Sequence, residues 1–541
     1  MRALAEGLDG RVAVLALGGY GRRLLTPGSD IDLMVLHKER RPDRVREMAE
    51  RLFYPFWDAG FTLGHAVRTV KECLTGARDR IDTACSLLDA RLVCGDEQLE
   101  GDLAEGLRRA LRRDRAAFLR ELQADAARRH QQHPACSAAI EPDLKEGSGG
   151  LRDIHAVGWA AAVVLEDGGD PVEAGLLRAR EAEMLDRAEE FLVRLRSALH
   201  LEAGRRTERP FLEHQPALAE QFGFQGSPGL DATDALMRAL FEHAREVEHV
   251  TELFAWRADR LVSREPARHV DVTVAAVPEE IVGAFAAGAA ADVPLSPAAM
   301  DALESSELGP SPEPWTDATL RGFVEILRAG RAGARALEAM DRSGVLGWLL
   351  PEWEAVRCRP QRDPYHRFTV DVHLARTAAE AAHILAGPEE EPALAAAAET
   401  VVDRDALLLG AFLHDVGKTG FGEHVRHGVR IAGTVLKRMN VLPDTRDRVL
   451  FLVERHLLLS DTATRRDLSD ENLVLDVAAA VGDPERLAML YVLSVADARA
   501  TGPHARTPWR MALVRELVGK VEHVLESGEM GTGRAAMLAD R

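Results

Sequence analysis

The feature that most constrains the fold is a glycine-rich turn between two short apolar runs near the start of the chain. Arg11–Leu17 is apolar and rich in β-branched residues, as a buried strand is, and Gly18 and Gly19 then break that strand into a turn. The second run is Ile31–Leu36. Glycines carry no Cβ, so the backbone N–H groups of the turn can approach a triphosphate closely. The sequence therefore predicts two strands that flank a phosphate-binding loop.

Two aspartates follow the turn at a spacing that suits metal binding. Asp30 and Asp32 are two residues apart, so their side chains point to the same face of the second strand. Two carboxylates beside a phosphate loop can hold the magnesium that clamps a nucleotide. By itself an Asp-x-Asp pair is more often a solvated strand end, and a Gly-Gly pair is common. Neither feature identifies the site alone.

The complete string is far more specific than its parts. Gly18-Gly19, then Gly21-Arg22, then Pro27-x-Ser-Asp-x-Asp-Leu33 resembles the nucleotidyltransferase superfamily that includes DNA polymerase β. The resemblance implies a small α/β domain in which Mg²⁺ binds the two aspartates. It also implies that four residues of the loop bind the nucleotide, namely Gly18, Gly19, Arg22 and Ser29.

The superfamily commonly uses a third carboxylate, and its position in this chain is open. We predict Asp89, which lies in Ser86–Leu92, and we keep Asp82 as the alternative. Either acid fits equally well as a surface residue of a helix. The local spacing does not separate these interpretations.

Composition and charge limit the function classes. The 541 residues carry a net charge of −19, which argues against a surface built to hold nucleic acid. The five cysteines are odd in number and form no Cys-x-x-Cys pair, so reduced thiols in the cytoplasm fit best. The sequence has no signal sequence and no run of about eighteen apolar residues, so we expect neither secretion nor a membrane partner.

A polar, glycine-rich string precedes the apolar helix that we predict at Ala156–Leu165. It reads Pro142-Asp-Leu-Lys-Glu-Gly-Ser-Gly-Gly-Leu-Arg-Asp-Ile154, and from the residues alone it suits anion contact through Lys145 and Arg152. The string resembles, nearly letter for letter, the signature of the bifunctional uridylyltransferase and uridylyl-removing enzymes that modify the nitrogen-signalling protein PII. The resemblance implies transfer from UTP to a tyrosine of PII. ATP stays open as the donor, because nothing in Gly18–Asp32 distinguishes uracil from adenine.

Histidines are concentrated in the second half of the chain. Seven of the 19 lie within 366–456, and histidine with acid nearby is the usual way to hold a catalytic metal. His373, the adjacent pair His414-Asp415 and finally Asp497 lie on separate predicted helices. This order resembles the HD phosphohydrolase superfamily, whose domains are all-helical and metal-dependent. The resemblance implies a site that hydrolyses the nucleotide–tyrosine bond and so reverses the transfer.

Further residues near the His-Asp pair are candidates for the same site. His424 and His456 are placed like the extra ligands of HD domains that hold two metals. Whether one metal or two bind, and whether they are Mg²⁺ or Mn²⁺, stays open. Lys418 can stabilise phosphate charge beside the catalytic pair His414 and Asp415, although a solvated lysine after a helix is nearly as good an interpretation.

These motifs predict a multidomain, mainly α protein. We expect a small α/β nucleotidyltransferase domain at 1–98, a helical PII-uridylyltransferase-type domain at 99–262, a connector with helices at 263–350, an all-α HD domain at 351–510 and a helical tail at 511–541. Between Ala267 and Asp317 we expect a poorly specified connector, because Ala, Pro, Glu and Ser follow one another with little periodicity. The family ordinarily continues into two glutamine-sensing ACT modules, and we expect this chain to lack them.

Two other functions stay open. The tRNA nucleotidyltransferases can also join a nucleotidyltransferase domain to an HD domain in this order, although the acidic balance and the 142–154 string argue against that function. The second is a catalytically decayed regulator that binds PII. The unplaced third carboxylate leaves this possibility open, whereas the intact Asp30, Asp32, His414 and Asp415 oppose it.

Overall fold

The computed structural model describes residues 12–38, 42–165, 168–262, 277–306, 308–361, 367–387, 391–502 and 505–527. The chain divides into two compact units. The first comprises Met1–Phe224 and Ala239–Ala267, and the second comprises Gln225–Arg238 and Arg268–Arg541. The predicted fold class is confirmed, since one small sheet near the N-terminus is followed by helices. The five domain boundaries that we predict remain predictions.

A four-stranded sheet forms the start of the first unit. Its strands are β1 (Val12–Ala16), β2 (Ile31–His37), β3 (Leu63–Arg68) and β4 (Arg91–Gly95), in the order β3-β2-β1-β4. β1 pairs antiparallel with both β2 and β4, whereas β2 and β3 run parallel. Every residue of β1 is buried. A central strand covered on both faces reads as a continuous apolar run rather than an alternating one, which is why β1 is recognisable in the sequence.

Helices cover the sheet and continue into a helical region. They are α1 (Gly18–Gly21), α2 (Pro42–Asp58), α3 (Val70–Asp79), α4 (Ile81–Leu88), α5 (Glu97–Arg112), α6 (Arg115–Gln132), α7 (Leu151–Val164), α8 (Ala179–Ala203) and α9 (Gln215–Gln221), followed by the long helix α10 (Ala232–Val262). The buried leucines of α5 recur every four residues, from Leu99 to Leu111, which gives one apolar stripe facing the core. The Asp114 side chain caps α6 by accepting a hydrogen bond from Ala117 N, so the helical stretch breaks there.

The second unit is helical throughout its described part. After α11 (Pro278–Ala291) and α12 (Pro297–Ser305) come α13 (Asp317–Arg328), α14 (Arg331–Arg342), α15 (Val345–Leu349), a 3₁₀ turn (Pro351–Ala355), α16 (Val370–Ala386), α17 (Pro392–Thr400), α18 (Arg404–Leu413), α19 (His424–Arg438), α20 (Pro443–Arg455), α21 (Leu458–Arg465), α22 (Glu471–Val481), α23 (Pro484–Thr501) and α24 (Pro508–Ser527). Residues 406–413 of α18 are all buried, and 13 of the 18 residues of α23 are buried too. Helices that are apolar on every side occupy the centre of a helical domain.

The expectation of a poorly specified connector between Ala267 and Asp317 is wrong for the part that the structure describes. Two helices, α11 and α12, form there, and Ile281, Phe285 and Leu303 belong to the same apolar core as the HD helices. Alanine has the highest helix propensity, so an alanine-rich helix forms even where larger apolar residues are too few to show a clear period. Residues 263–276 of the predicted connector and 528–541 of the predicted tail lie outside the described residues.

No helix in the described part of the chain combines the length and the apolar character needed to cross a membrane.

Candidate active sites

The glycine-rich turn forms the short helix α1. Gly18 has a φ of +50°, a left-handed conformation that favours glycine, and a Cβ there would lie 3.2 Å from Asp32 Oδ2. Gly21 is more restricted still, because its Cβ would lie 2.1 Å from the carbonyl oxygen of Asp89. Arg91 fixes the turn by donating from Nε to the carbonyl oxygen of Gly21 at 3.0 Å. The turn is therefore packed too closely against its neighbours for larger residues at these two positions.

A cleft lies beside this turn in the first unit. Its lining comprises Gly19, Arg22, Leu24, Leu25, Ser29, Asp30, Asp32, Lys145, Leu151, His155, Val193, Arg196 and Arg206. The structure thus brings five of the predicted site residues into one cleft, together with Lys145 of the glycine-rich string. Gly18 adjoins this cleft through its contact with Asp32. The remaining lining residues come from the segment between α1 and β2, from α7, from α8 and from the segment after α8.

Asp30 and Asp32 lie at the start of β2 and both face the cleft. Burial and the neighbouring carboxylate of Asp30 raise the pKa of Asp32, while Lys145 and Arg206 oppose this shift. Arg206 forms an ion pair with Asp30. Two adjacent carboxylates that disfavour each other's charge are a donor set suited to a divalent cation, since the cation removes the repulsion. The donor set therefore fits Mg²⁺.

A hydrogen-bonded turn carries Ser29 and Asp30. Ser29 N donates to the carbonyl oxygen of Thr26 at 2.9 Å, which closes the turn. Arg196 of α8 donates from Nη1 to Thr26 Oγ1 at 2.9 Å and pairs with Glu208 through Nε and Nη2. A guanidinium held at both ends is rigid. The helical region therefore fixes the segment that carries the carboxylates.

Asp89, the predicted third carboxylate, is not part of the cleft lining. It forms an ion pair with Arg22 and accepts a hydrogen bond from Trp159 Nε1 at 2.8 Å. Burial raises the pKa of Asp89, and both partners oppose that shift. The alternative, Asp82, lies in the first turn of α4 with a side chain that is 60% exposed, beside Arg80. Asp82 thus matches a surface acid, and Asp89 contacts the cleft residue Arg22 rather than the cleft.

Residues 142–150 of the glycine-rich string form a loop, and residues 151–154 form the first turn of α7. Asp143 Oδ1 accepts hydrogen bonds from the backbone nitrogens of Lys145 and Glu146. Asp153, whose side chain is 6% exposed, accepts from Arg129 and from Gly149 N, and its Oδ2 lies 3.0 Å from His130 Nε2. These contacts explain the acids and glycines of the string. They shape the loop that places Lys145 in the cleft.

In the second unit, side chains from three helices converge on one point. His373 Nε2, on α16, lies 3.2 Å from His414 Nε2 and 3.2 Å from Asp497 Oδ1. His414 follows α18 directly, and its Nε2 lies 3.5 Å from Asp415 Oδ2. His373, His414 and Asp415 are almost completely buried. The four residues that we predict as ligands are therefore brought together by the structure.

The orientation of the rings suits metal binding. His414 Nδ1 lies 2.9 Å from the carbonyl oxygen of Ala411, and His456 Nδ1 lies 2.9 Å from that of Val453. Such backbone contacts hold the proton on Nδ1 and leave Nε2 as a lone-pair donor. Burial lowers the pKa of His414 to about 4, so the ring is neutral. His456 Nε2 is buried and has no hydrogen-bond partner among the described residues.

Two groups of candidate ligands share Asp415. One is His373, His414 and Asp415, and the other is Asp415, His424 and His456; within each group the donor atoms lie within 4.8 Å of one another. Burial raises the pKa of Asp415, but Lys418 and the histidines outweigh burial, so the pKa lies well below its usual value. A carboxylate kept ionised between two groups of imidazoles can bridge two cations. The donor set therefore fits a divalent metal, and the geometry offers room for a pair.

Lys418 lies beside these groups instead of in solvent. Its Nζ is 2.7 Å from Asp415 Oδ2 and donates to Gln361 Oε1 at 2.7 Å. The side chain is 23% exposed. The lysine is therefore anchored next to the shared carboxylate, where it can add positive charge to the site.

Comparison with known proteins identifies similar domains in both units. A family model described as GlnD PII-uridylyltransferase matches residues 117–255, and an HD domain model matches residues 370–483. Curated proteins named bifunctional uridylyltransferase/uridylyl-removing enzyme match almost the whole chain. The protein of Streptomyces coelicolor is 37% identical over 97% of this chain and 65% of its own length. Those of Phenylobacterium zucineum and Mycobacterium tuberculosis are each 34% identical, over 97% and 95% of this chain and 60% and 64% of their own lengths.

The chain is a homologue of these bifunctional enzymes. It carries a GlnD-type uridylyltransferase domain and an HD domain. It spans about three fifths of the length of these curated relatives. The cleft residues from Lys145 to Arg206 lie inside the matched GlnD-type domain, whereas Asp30 and Asp32 precede it. Asp497 lies beyond the matched HD range although its carboxylate meets His373.

The sequence analysis missed several residues of the GlnD-type cleft. Arg196 and Arg206 lie in or just after a long helix, and His155 lies in an apolar one. Each looks like an ordinary helical residue, because its partner is far away in the sequence. One signal was present: Lys145 belongs to the 142–154 string and suits anion contact. The same string ends beside His155, which indicates that the cleft extends onto α7.

Proposed function

We propose that this homologue of the bifunctional enzymes attaches a uridylyl group to a tyrosine of PII and removes it again by hydrolysis. The observation that carries the proposal is that each unit holds its own site. The first unit places two carboxylates and several cations around one cleft, and the second places a shared carboxylate between two groups of histidines. The opposing activities in the relatives' printed name require two such sites.

In the transfer reaction, the tyrosine oxygen attacks the α-phosphorus of UTP. An oxygen–phosphorus bond forms, the bond to the bridging oxygen breaks, and pyrophosphate leaves while the tyrosine proton passes to solvent. Asp30 and Asp32 would hold Mg²⁺, and this ion would supply positive charge for the triphosphate and the leaving group. Arg22, Lys145 and the backbone at Gly19 bind phosphate oxygens. Ser29 binds the nucleotide from the turn that also carries Asp30.

In this proposal Asp89 is a positioning residue. Its carboxylate contacts Arg22 and Trp159 outside the cleft lining, and its role is to hold the Arg22 guanidinium for phosphate binding. We take UTP as the donor, because the relatives' printed name describes transfer of a uridylyl group. ATP remains the alternative, since residues that bind phosphate do not distinguish uracil from adenine.

In the removal reaction, water attacks the phosphodiester that joins the nucleotide to the tyrosine. The bond from phosphorus to the tyrosine oxygen breaks, and UMP and free tyrosine are released. His373, His414, Asp415 and Asp497 would hold one divalent metal, and His424 and His456 would join Asp415 around a second. Metal bound there would supply Lewis acidity for the attack by water. Lys418, held by Asp415 and Gln361, stabilises the phosphate charge.

The donor atoms favour Mn²⁺ over Mg²⁺ in this second site. Imidazole nitrogens bind transition metals well, whereas Mg²⁺ prefers oxygen ligands. In the nucleotidyltransferase cleft the donors are carboxylates alone, and there Mg²⁺ is the better choice.

We place both reactions in the cytoplasm. Cys73, Cys85 and Cys136 are buried thiols outside any disulfide, which fits a reducing compartment. Burial raises the pKa of Cys73 to about 11 and that of Cys85 to about 12, so both thiols are protonated and unreactive at neutral pH.

The experiment is a transfer assay with purified PII. The protein is incubated with PII, Mg²⁺ and either UTP or ATP, and PII is weighed by mass spectrometry. We expect PII to gain one UMP with UTP, and Asp30→Asn and Asp32→Asn to abolish the gain. No gain with either triphosphate would disprove the transferase proposal. Gain of AMP alone would change the donor, and salt-sensitive binding of tRNA would favour the nucleic-acid alternative.

A further inference from the structure

His155 is a cleft residue that the proposed reaction does not use. It lies on α7, one turn after Leu151, and both side chains line the cleft with Asp30 and Asp32. The His155 side chain is 7% exposed. A histidine this deeply buried beside a nucleotide site requires a partner for each ring nitrogen or a function that leaves one nitrogen open.

One ring nitrogen lies beside a carboxylate. His155 Nε2 is 3.2 Å from Glu189 Oε1, on the neighbouring helix α8. Neither ring nitrogen makes a well-aligned hydrogen bond among the described residues, but the negative charge of Glu189 favours the ring proton on Nε2. Nδ1, which is also buried, is then a bare acceptor.

The ring is neutral, which defines the kind of group it can bind. Burial lowers the pKa of His155 to about 4, and Arg22 and Arg152 act in the same direction, although Glu189 opposes them. A neutral acceptor repels phosphate oxygens, which are also acceptors. The ligand group opposite Nδ1 must therefore be an uncharged N–H or O–H donor.

The surroundings indicate which part of a nucleotide supplies that donor. Leu151 and His155 are four residues apart on α7 and therefore lie on one side of that helix. Glu189 and Val193 are likewise four residues apart on α8, on the side that faces α7. Leu151 and Val193 offer an apolar wall next to the His155 ring. The cationic lining residues, such as Arg22 and Lys145, are suited to binding the phosphates. An uncharged ring system fits the remaining wall better than a phosphate does.

We propose that His155 accepts a hydrogen bond from the nucleoside part of the donor nucleotide, through an N–H of the base or a hydroxyl of the ribose. Glu189 is a positioning residue that fixes the ring proton on the far side. This inference deepens the proposed transferase function and rests on it. It makes His155 a residue that binds the nucleoside part of the nucleotide and not the phosphates.

The test measures nucleotide binding by isothermal titration calorimetry with the full chain and Mg²⁺. The probes are UTP, 3-methyluridine triphosphate, 2′-deoxyuridine triphosphate and 3′-deoxyuridine triphosphate, with inorganic tripolyphosphate as the phosphate control. Each analogue lacks one donor, so the three arms distinguish the base from the two ribose hydroxyls. The variants are His155→Phe, His155→Asn and His155→Gln. Asparagine places an oxygen near the position of Nδ1, whereas glutamine reaches the position of Nε2.

The wild-type protein should bind one analogue about tenfold more weakly than UTP, the effect of one neutral hydrogen bond. His155→Phe should bind UTP about tenfold more weakly and bind that analogue as well as it binds UTP. His155→Asn should recover part of the preference, and His155→Gln should not. Tripolyphosphate should bind equally to all four proteins. If His155→Phe does not fold, as judged by thermal unfolding, the asparagine and glutamine pair still carries the comparison.

Two results would overturn the inference: equal wild-type binding of UTP and all three analogues, or an unchanged preference in the variants. Failure of the transferase proposal gives a different result. In that case UTP binds with the His155-dependent preference, but no UMP appears on PII.

Discussion

His200 Nδ1 lies 3.0 Å from the backbone nitrogen of Gly28 and 3.1 Å from Thr26 Oγ1. Burial lowers the pKa of His200, so the ring stays neutral and Nδ1 can accept the proton of the Gly28 N–H. A Cβ at Gly28 would lie 2.8 Å from that same nitrogen. His200, on α8, thus holds the turn that carries Ser29 and Asp30, although Gly28 and His200 are 172 positions apart in the sequence.

We predict that His200→Leu impairs transfer. The change leaves the Gly28 N–H without its acceptor, which costs about 1–3 kcal/mol locally and loosens the turn that carries Asp30. A small displacement of a metal-binding carboxylate lowers catalysis strongly, so kcat for transfer should fall by about tenfold or more. Steady-state kinetics with PII and UTP measures this.

The matched control is His200→Asn, which keeps an acceptor near the position of Nδ1 and should retain most of the activity. Removal of UMP from modified PII should be unchanged in both variants, because its candidate residues all lie in the second unit. An unaltered kcat in His200→Leu would show that the turn holds its shape without this contact.

Asp89→Asn separates the two roles proposed for that residue. Asparagine keeps an oxygen for Trp159 Nε1 but loses the charge that pairs with Arg22. If Asp89 positions Arg22, we expect the KM for UTP to rise severalfold while kcat changes little. If Asp89 binds the metal, kcat should collapse as in Asp30→Asn. Comparison of kcat and KM in these two variants therefore decides between a positioning residue and a third carboxylate ligand.

The sequence predicted those parts of the sites that depend on local spacing. Asp30 and Asp32 share a face because strand residues alternate. His414 and Asp415 directly follow an apolar helix, and a helix of that composition has to be buried. The partners of these residues follow no such rule. Arg206 pairs with Asp30 across 176 positions, and only the folded chain brings them together.

The alanine-rich helix α11 shows a second reason why a prediction from the sequence can be wrong. In α11 the buried set includes alanines and a glycine besides Ile281 and Phe285, so burial does not require large apolar residues at a regular spacing. The prediction at Ala267–Asp317 relied on that spacing and missed the helices. The role of Asp89 stays a prediction for a related reason. An acid next to a site can equally well pair with a cation of the protein, and the sequence neighbours of Asp89 do not reveal that Arg22 and Trp159 are its partners.

We predict that Asp153→Asn destabilises the first unit at neutral pH. Burial alone would raise the pKa of Asp153, but His130 and Arg129 outweigh burial and lower it. A lowered pKa in the folded state means that the ionised form stabilises the protein. That contribution is complete above the unfolded value near pH 4 and disappears as the pH falls through the folded value. Loss of one partner of a buried ion pair should cost about 3 kcal/mol at pH 7.

Urea unfolding at pH 7 and at about pH 3 measures this, and the difference between Asp153→Asn and the wild type should shrink in acid. Asp82→Asn is the control, because the Asp82 side chain is 60% exposed and its replacement should change stability by less than about 0.5 kcal/mol. Equal stability of Asp153→Asn and the wild type at pH 7 would contradict a structural role for the last acid of the 142–154 string.

The shared carboxylate of Asp415 predicts a graded loss of metal in the HD domain. Because Asp415 belongs to both ligand groups and His456 to one, His456→Ala should lower the Mn²⁺ content from two ions to one per chain, and Asp415→Ala should remove both. Elemental analysis after dialysis measures the content, and removal of UMP should fall in the same order while transfer persists. His383→Ala is the control, since His383 lies exposed on the same helix as His373. A single ion in the wild type that His456→Ala retains would limit the site to His373, His414, Asp415 and Asp497.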